Sequence, residues 1–112
     1  MTRQKYIPDQ GDIIWINFNP IRGHEQKGKR PALVISPKSY NFKSGLALVC
    51  PITSQGKDYP FDVFCESRSI SGFVMTDHIR SVDWAERKVR FADTASSNTL
   101  REVVDKIKLI IE

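Results

Sequence analysis

The sequence has little of what marks membrane, secreted or metal-binding proteins. Its 112 residues include two cysteines, and its longest apolar run, Leu46–Cys50, ends at Pro51. A membrane-spanning helix needs roughly 18 or more apolar residues in succession, so we expect none. The first residues lead into Pro8 without the apolar stretch of a secretory signal. Two cysteines without an export signal form no disulfide framework, and we expect a cytoplasmic protein with buried or unused thiols.

Positive charge is only slightly in excess over negative charge. Seventeen Lys and Arg against thirteen Asp and Glu give a formal net charge of +4. Such an excess favours polyanionic partners, nucleic acid first, although proteins that never bind nucleic acid also carry it. Charged residues make up 27% and hydrophobic residues 40%, which is typical of a globular chain rather than a disordered one. From this length we expect one domain over residues 1–112.

Short β-strands separated by turn residues dominate the pattern. The strand signals are Ile13–Phe18, Pro31–Ser36, Leu46–Ile52, Tyr59–Phe64, Gly72–Met75, Ile79–Val82 and the weaker Lys88–Phe91. The third is nearly all apolar, so we expect it to be central in the sheet. Residues 37–45 are interpreted as a connector with room for one helical turn.

The C-terminus changes from strand period to helical period. Apolar residues fall on one helical face: Leu100, Val103, Val104, Ile107, Ile110 and Ile111. Thr99 and Glu102 fit a capping box at the start of this helix. Several short strands with one amphipathic terminal helix predict a mainly β fold, a small and strongly bent sheet or barrel.

Several familiar chemistries are excluded. Residues 23–29 match the beginning of a phosphate-binding P-loop, but Arg30 stands where that motif needs Ser or Thr, and a strand follows instead of a helix. Soft metal ligands are scattered without the close pairing of structural metal sites: His24, Cys50, Cys65 and His78. Cys50 lies in the most apolar strand, which is the wrong setting for a nucleophilic thiol.

The segment from Arg22 to Arg30 concentrates the positive charge, since four cations less the acid Glu25 leave +3 within nine residues. One interpretation is a solvated hairpin loop. The other is a phosphate site, because Arg30 lies at the junction of loop and strand and Thr53-Ser54-Gln55 follows the central strand. A guanidinium, hydroxyl donors and the pair of His24 and Glu25 can grip a phosphodiester, stabilise its oxyanion and accept a proton. These residues alone leave both interpretations open.

Two stretches carry many particular residues at fixed spacing: Gly11-Asp12-Ile13-Ile14-Trp15-x-x-Phe18-x-Pro20 and Gly23-His24-Glu25-Gln26-x-Gly28-x-Arg30-Pro31-Ala32-x-Val34-x-Ser36-Pro37. Three later motifs are Pro51-x-Thr53, Tyr59-Pro60-Phe61 and Asp77-His78-Ile79-Arg80-Ser81-Val82-Asp83-Trp84. Together they resemble the signature of the MazF/PemK toxin endoribonucleases, or mRNA interferases. The likeness spans nearly the whole chain, from about Tyr6 to the C-terminal helix.

The resemblance implies a mainly β fold with a C-terminal α-helix, the SH3-like small β-barrel of the MazF/PemK/CcdB-like toxins. It implies a homodimer with RNA crossing the dimer face, and cleavage of single-stranded mRNA without metal or cofactor. The 2′-hydroxyl attacks the adjacent phosphorus and leaves a 2′,3′-cyclic phosphate and a 5′-hydroxyl. A cognate antitoxin with a flexible acidic tail, which blocks the RNA groove, is also implied, as is inhibition of translation and growth.

The family's catalytic pair corresponds to Arg30 and Thr53, with Glu25 beside them in the loop. A guanidinium with a pKa above about 12 is a poor proton shuttle, so we expect Arg30 to stabilise charge on the pentacoordinate phosphorane. Thr53 is expected to donate a hydrogen bond to a non-bridging oxygen. The general base stays open between Glu25 and His24, whose imidazole pKa of about 6.5 is better matched to neutral pH.

Further residues are expected to contact the bases or phosphates of the RNA: Phe18, Asn41, Gln55, Asp77, His78 and Arg80. Phe18 could equally belong to the core, and Arg80 could serve only to pair with Asp77 or Asp83. In the PemK-like branch an arginine two residues before the aspartate joins it in catalysis, but Met75 stands there in this chain. Asp77 is therefore expected to contact substrate or to support the structure.

Two other functions stay open. One is a non-enzymatic toxin of the same fold that binds a protein target such as DNA gyrase, and the other is a single-stranded RNA-binding module. A pure binder has no need for a phosphate clamp beside hydroxyls, so the combination of Arg30, Thr53 and Glu25 favours the nuclease.

Overall fold

The strand Leu46–Thr53 is the centre of the fold. The computed structural model describes residues 6–18, 29–56 and 58–112. In these residues the helices and strands are β1 Asp12–Asn17, β2 Lys29–Val34, α1 Lys38–Ser44, β3 Leu46–Thr53, β4 Asp62–Glu66, β5 Ser71–Met75, β6 Arg80–Asp83, β7 Arg90–Thr94 and α2 Ser97–Ile111. A 3₁₀ turn, Thr76–His78, separates β5 from β6.

The sheet bends because β3 changes partner along its length. One edge of β3 pairs with β2, whereas the other edge pairs first with β6 and then, at its end, with β5. All pairings are antiparallel, and β1, β7 and β4 extend the sheet outward. The seven strands found in the described residues form a half-barrel, with α2 packed against it. The predicted mainly β fold with a central third strand and a C-terminal helix is confirmed.

Both faces of the central strands are buried. Neighbouring residues of a strand point to opposite faces, so adjacent apolar residues enter different clusters. The cluster under α2 includes Ile13, Leu33, Cys50 and Val103, and the other includes Ile14, Val34, Val49 and Trp84. Burial on both sides explains why these strands are apolar almost throughout instead of alternating.

Both cysteines are free and buried, as predicted. They belong to the cluster that α2 covers. Burial, aided by the negative charge of Asp77, raises the pKa of Cys50 to about 12. A thiol with such a pKa is protonated at neutral pH and is a poor nucleophile.

Several strand bounds differ from the predictions, among them β2, which begins at Lys29 and not at Pro31, and β7, which covers Arg90–Thr94 and not Lys88–Phe91. The fourth strand begins at Asp62 and not at Tyr59, because the backbone turns there: the N–H of Asp62 donates to the carbonyl of Tyr59 at 2.9 Å. Pro60 lies inside this turn, where its missing N–H costs no ladder bond. The connector before β3 holds the seven-residue helix α1, whose C-cap is Gly45 in the left-handed conformation (φ 77°).

Helix α2 begins earlier than the predicted capping box. Its N-cap is Ser96, whose hydroxyl oxygen accepts a hydrogen bond from the backbone N–H of Thr99 at 3.1 Å. The proposed cap at Thr99 is therefore wrong, because this residue supplies an N–H to the cap instead of being the cap. In the described part of the chain, neither helix has the length and apolar character needed to cross a membrane.

Asp93 of β7 holds the turn between β4 and β5. Its Oδ2 accepts hydrogen bonds from the backbone N–H of Ser69 at 3.0 Å and from the Ser69 hydroxyl at 3.1 Å. Hydrogen bonding by the Ser67 hydroxyl and by the backbone N–H groups of Ser69 and Thr94 holds the pKa of Asp93 well below its usual range. A carboxyl whose pKa is lower in the folded state stabilises the fold above its unfolded pKa, and this contribution is lost as the pH falls.

We expect Asp93→Asn to lower the urea midpoint at neutral pH. The difference from wild type should shrink as the pH falls below about 4, the ordinary pKa of an aspartate, because the wild-type carboxyl then loses its advantage. Urea unfolding at about pH 7 and pH 3 measures this difference. Asp105→Asn, at an exposed position of α2, is the matched control. An Asp93→Asn deficit that is equal at both pH values would contradict the prediction.

Candidate active site

The start of β2 and the end of β3 open together into a groove. The two strands are antiparallel, and their register pairs Ala32 with Pro51. Continued by two residues, the same register places Arg30 opposite Thr53. The groove has a volume of about 760 Å³ and is lined by Arg30, Pro31, Ile52, Thr53, Ser54, Gln55, Tyr59, Asp62, Ser71, Met75, Asp77 and His78. Five predicted site residues therefore share one groove: Arg30, Thr53, Gln55, Asp77 and His78.

Arg30 combines a fixed backbone with an exposed side chain. It lies in β2 and pairs with Ile16 of β1, so the strand ladder holds its main chain. Among residues 6–18, 29–56 and 58–112, no hydrogen bond or ion pair engages its guanidinium. The main chain of Arg30 is held in the sheet, and no described carboxylate neutralises its guanidinium. Such a cation is suited to binding an anionic phosphate oxygen.

Thr53 presents a hydroxyl to the same groove. Its Oγ1 accepts a hydrogen bond from the backbone N–H of Gln55 at 3.1 Å. This bond orients the hydroxyl oxygen and leaves its hydrogen available for donation to a ligand. The side chain of Gln55 is exposed beside it and adds an amide group to the lining.

Asp77 is the centre of the polar contacts in another part of the lining. The Tyr59 hydroxyl donates to Asp77 Oδ2 at 2.8 Å, and His78 Nε2 lies 3.8 Å from Asp77 Oδ1. The hydrogen bond to Asp77 raises the pKa of Tyr59, so its phenol stays protonated at neutral pH. The His78 side chain is 60% exposed, which leaves it accessible to a ligand in the groove.

Met75 gives this groove a thioether where the PemK-like branch has an arginine. It ends β5, two residues before Asp77, and both line the groove. Within the described residues, the side chain of Asp77 therefore contacts Tyr59 and His78 and no arginine. These contacts join Asp77 to Tyr59 and His78, while its place in the lining keeps substrate contact open beside structural support, so both roles stay predictions.

Phe18 and Arg80 contact each other outside the groove lining. The guanidinium carbon of Arg80 lies 5.0 Å from the centre of the Phe18 ring, in the geometry of a cation–π contact. Phe18 is partly buried against the second core cluster. In the part of the chain that the structure describes, Arg80 forms no ion pair with Asp77 or Asp83.

The prediction that Asn41 contacts RNA is wrong. Its side chain has no exposed surface. The amide donates to the carbonyl oxygens of Pro8 at 2.8 Å and Ser36 at 3.0 Å, and its oxygen accepts a hydrogen bond from the Ser36 hydroxyl at 2.5 Å. Every side-chain group of Asn41 that could read a base is thus engaged inside the protein.

The two candidate bases, His24 and Glu25, lie outside the described residues. Conversely, the groove contains residues that sequence reasoning did not single out as site residues, Tyr59 and Asp62 above all. The signal for Tyr59 was present in the Tyr59-Pro60-Phe61 motif. Asp62 had no comparable signal, because its position in the lining depends on where β4 begins.

Gly56 follows Thr53-Ser54-Gln55 and lies against the Phe73 ring. A Cβ at Gly56 would lie 2.5 Å from Phe73 Cε1, closer than real contacts allow. The ring cannot move freely, because it is partly buried and stacks edge-to-face with Phe64 at a centroid distance of 5.4 Å. A side chain at this position must therefore displace either the Phe73 ring or the backbone that carries the groove residues.

For the RNA cleavage that the family resemblance implies, we expect Gly56→Ala to lower the rate by about 10- to 100-fold, because a displacement of about 1 Å at a reacting group has an effect of that size. Gly45→Ala is the matched control, since its Cβ would meet nothing within 4 Å but its φ is 77°. That variant should lose stability at the end of α1 and keep its rate. Steady-state cleavage and thermal unfolding of both variants check the prediction, and equal rates for the two would contradict it.

Within residues 6–18, 29–56 and 58–112, no three side chains of His, Cys, Asp or Glu gather closely enough to hold a metal ion. The groove has one described cation, Arg30, and two described carboxylates, Asp62 and Asp77. In this groove the guanidinium of Arg30 can stabilise negative charge, and hydroxyl groups such as that of Thr53 can donate hydrogen bonds.

Comparison with known proteins shows a likeness over nearly the whole chain. Residues 9–111 match the model of a protein family, which is described as the PemK-like, MazF-like toxins of type II toxin–antitoxin systems. The endoribonuclease toxin MazF of Escherichia coli (strain K12) is 39% identical over 107 residues, which cover 96% of this chain and 96% of that protein.

Solved structures show the same likeness in three dimensions. A crystal structure of MazF from Deinococcus radiodurans is 44% identical with a TM-score of 0.86, over 96% of this chain and 98% of that chain. A crystal structure of MazE–MazF from the same organism is 42% identical with a TM-score of 0.87, over 95% and 97%.

Proposed function

This chain belongs to the PemK-like, MazF-like family of toxins of type II toxin–antitoxin systems, and we propose that, as an endoribonuclease toxin, it cleaves single-stranded mRNA at short sequence motifs. The observation that carries the proposal is the shared groove of Arg30 and Thr53. An exposed guanidinium and a hydroxyl with a free hydrogen match the needs of a phosphodiester in its transition state. A surface that only binds a protein has no use for this combination.

The reaction that fits these groups is a transesterification at phosphorus. The ribose 2′-oxygen forms a bond to the adjacent phosphorus, and the bond from phosphorus to the 5′-oxygen breaks. Arg30 stabilises the negative charge of the pentacoordinate phosphorane, and Thr53 donates a hydrogen bond to a non-bridging oxygen. The leaving 5′-oxygen takes up a proton from the solvent, so the products are a 2′,3′-cyclic phosphate and a 5′-hydroxyl. Because the guanidinium supplies the positive charge, the proposal invokes no metal or cofactor.

The proton of the 2′-hydroxyl passes to Glu25 or to His24 in this proposal. The pH dependence of the rate distinguishes them, since a histidine base gives a rise centred near pH 6.5 and a carboxylate base a rise near pH 4.3. The substitution that abolishes this rise, either His24→Asn or Glu25→Gln, identifies the base.

An antitoxin is the expected protein partner, because the family is that of type II toxin–antitoxin systems. We propose that its tail is flexible and acidic and covers the groove, where it competes with RNA for Arg30. We also propose that the chain acts as a single domain in the cytoplasm and forms a homodimer, since one small half-barrel offers only an open groove to a long RNA.

Incubation of the pure protein with a long unstructured RNA in EDTA tests the function. We expect cleavage at recurring short motifs, with 5′-hydroxyl and 2′,3′-cyclic phosphate ends when the fragments are mapped. RNA that is bound but left intact would instead indicate a binding module. Growth arrest with intact RNA and inhibited DNA gyrase would indicate the non-enzymatic toxin.

A further inference from the structure

Tyr59 is an exposed aromatic side chain in the groove. Its exposed fraction is 43%. The other exposed aromatic side chains of the described residues, Tyr40, Phe42, Phe64 and Phe91, do not line the groove. An aromatic face open to solvent beside Arg30 and Thr53 is the feature on which unpaired bases stack.

The Tyr59 ring is held at both ends. Its hydroxyl donates to Asp77 Oδ2 at 2.8 Å, and its ring lies against Phe61 at a centroid distance of 5.8 Å and an interplanar angle of 56°. Phe61 in turn lies under the ammonium group of Lys106 from α2, at 5.9 Å. An exposed ring that is already ordered loses little conformational entropy when a ligand stacks on it.

The backbone at Tyr59 is also defined. The turn from Tyr59 to Asp62 is closed by the hydrogen bond between their backbone groups, and β4 begins directly after it. Asp77 is fixed from the other side, in the 3₁₀ turn between β5 and β6. The tether between Tyr59 and Asp77 therefore joins two elements that the sheet already holds in place.

We propose that the Tyr59 ring stacks on an RNA base next to the phosphate held by Arg30, and that Asp77 is the positioning residue that sets the angle of this ring, so that the two together bias the choice of base there through the strength of stacking. The inference rests on the proposed function. It adds a contribution to specificity that neither Arg30 nor Thr53 supplies, because contacts to a phosphate do not distinguish one base from another.

Tyr59→Leu tests the stacking. We expect KM for a single-stranded RNA to rise roughly 5- to 150-fold, the range that corresponds to losing one stacked base, with a smaller change in kcat. Tyr40→Leu is the matched control, since Tyr40 is also 43% exposed but lies on α1 outside the groove lining. Tyr59→Trp retains an aromatic face and should restore a KM near that of wild type. Thermal unfolding of each variant verifies that it is folded.

Tyr59→Phe and Asp77→Asn test the positioning. Tyr59→Phe keeps the ring and removes the tether, while Asp77→Asn weakens the tether by removing its charge. We expect both variants to cleave RNA with most of their activity but at a broader set of bases, seen by mapping 5′ ends on a mixed RNA pool. A residue that only supported the fold would change the amount of cleavage and leave the map unchanged.

The outcomes separate this inference from the proposed function. If the wild type cleaves RNA and Tyr59→Leu matches Tyr40→Leu in both KM and cleavage map, the inference is wrong and the function stands. If the wild type cleaves no RNA, the function is wrong, and fluorescence anisotropy with a labelled single-stranded RNA still decides the inference. Equal affinity of the two leucine variants in that experiment would overturn it.

Discussion

Replacing Arg30 by alanine is expected to lower the rate of RNA cleavage by about 10²- to 10³-fold, the effect of removing one preorganised donor from a developing oxyanion. The loss should appear mainly in kcat, because the charge on the phosphorane develops after the RNA is bound. Folding should be unaffected, since the side chain is exposed and no described group pairs with it. Single-turnover cleavage and thermal unfolding measure the two effects separately.

Two further variants make this prediction specific. Arg30→Lys keeps the charge but loses the planar fork that binds two phosphate oxygens, so its rate should lie between those of Arg30→Ala and wild type. Arg68→Ala removes an exposed arginine before β5 that does not line the groove, and it should keep the wild-type rate. Growth arrest by Arg30→Ala at the wild-type level would show that the enzymatic assignment is wrong.

The placement of Arg30 and Thr53 could be anticipated because each follows from local sequence. Arg30 lies at the start of one strand and Thr53 ends another, and two strands adjacent in sequence usually pair as neighbours. The apolar run of Leu46–Ile52 likewise predicted a central strand, and β3 has three partner strands in the structure. Such features need no knowledge of long-range register.

Features that depend on register were missed. Tyr59 and Asp77 are 18 residues apart, and their contact requires the register of β4 against β5, in which Asp62 pairs with Met75. The stretch Tyr59–Phe64 was predicted as one strand, although the chain turns between Tyr59 and Asp62 before β4. At the start of α2, Ser96 and Thr99 are both good cap residues, and sequence alone does not rank them.

Asn41 was misassigned for a related reason, since a polar residue in a connector is more often exposed than buried. The structure buries it completely at the junction of three segments. Its amide reaches Pro8 before β1 and Ser36 after β2, while its backbone carbonyl accepts the indole N–H of Trp84 at 3.0 Å. Ser36 completes the network, because its hydroxyl oxygen also accepts the backbone N–H of Leu48 at 2.9 Å.

Asn41→Ala is therefore expected to lower the free energy of unfolding by about 2–5 kcal/mol, since each buried polar group left without its partner costs roughly 1–3 kcal/mol. Urea unfolding measures the loss. Asn41→Asp should be at least as unstable at neutral pH, because a carboxylate cannot donate to the carbonyl oxygens of Pro8 and Ser36. Asn98→Ala, the same change at an exposed position of α2, should stay within about 0.5 kcal/mol of wild type.

The same variants separate a structural asparagine from one that binds RNA. Asn41 is not part of the groove lining, so the cleavage rate per folded molecule of Asn41→Ala should equal that of wild type at low temperature. Activity should fall only as the folded fraction falls on warming, in parallel with the unfolding curve. A loss of kcat in fully folded Asn41→Ala would contradict this assignment, because it would mean that the buried network helps to set the position of Arg30 through β2.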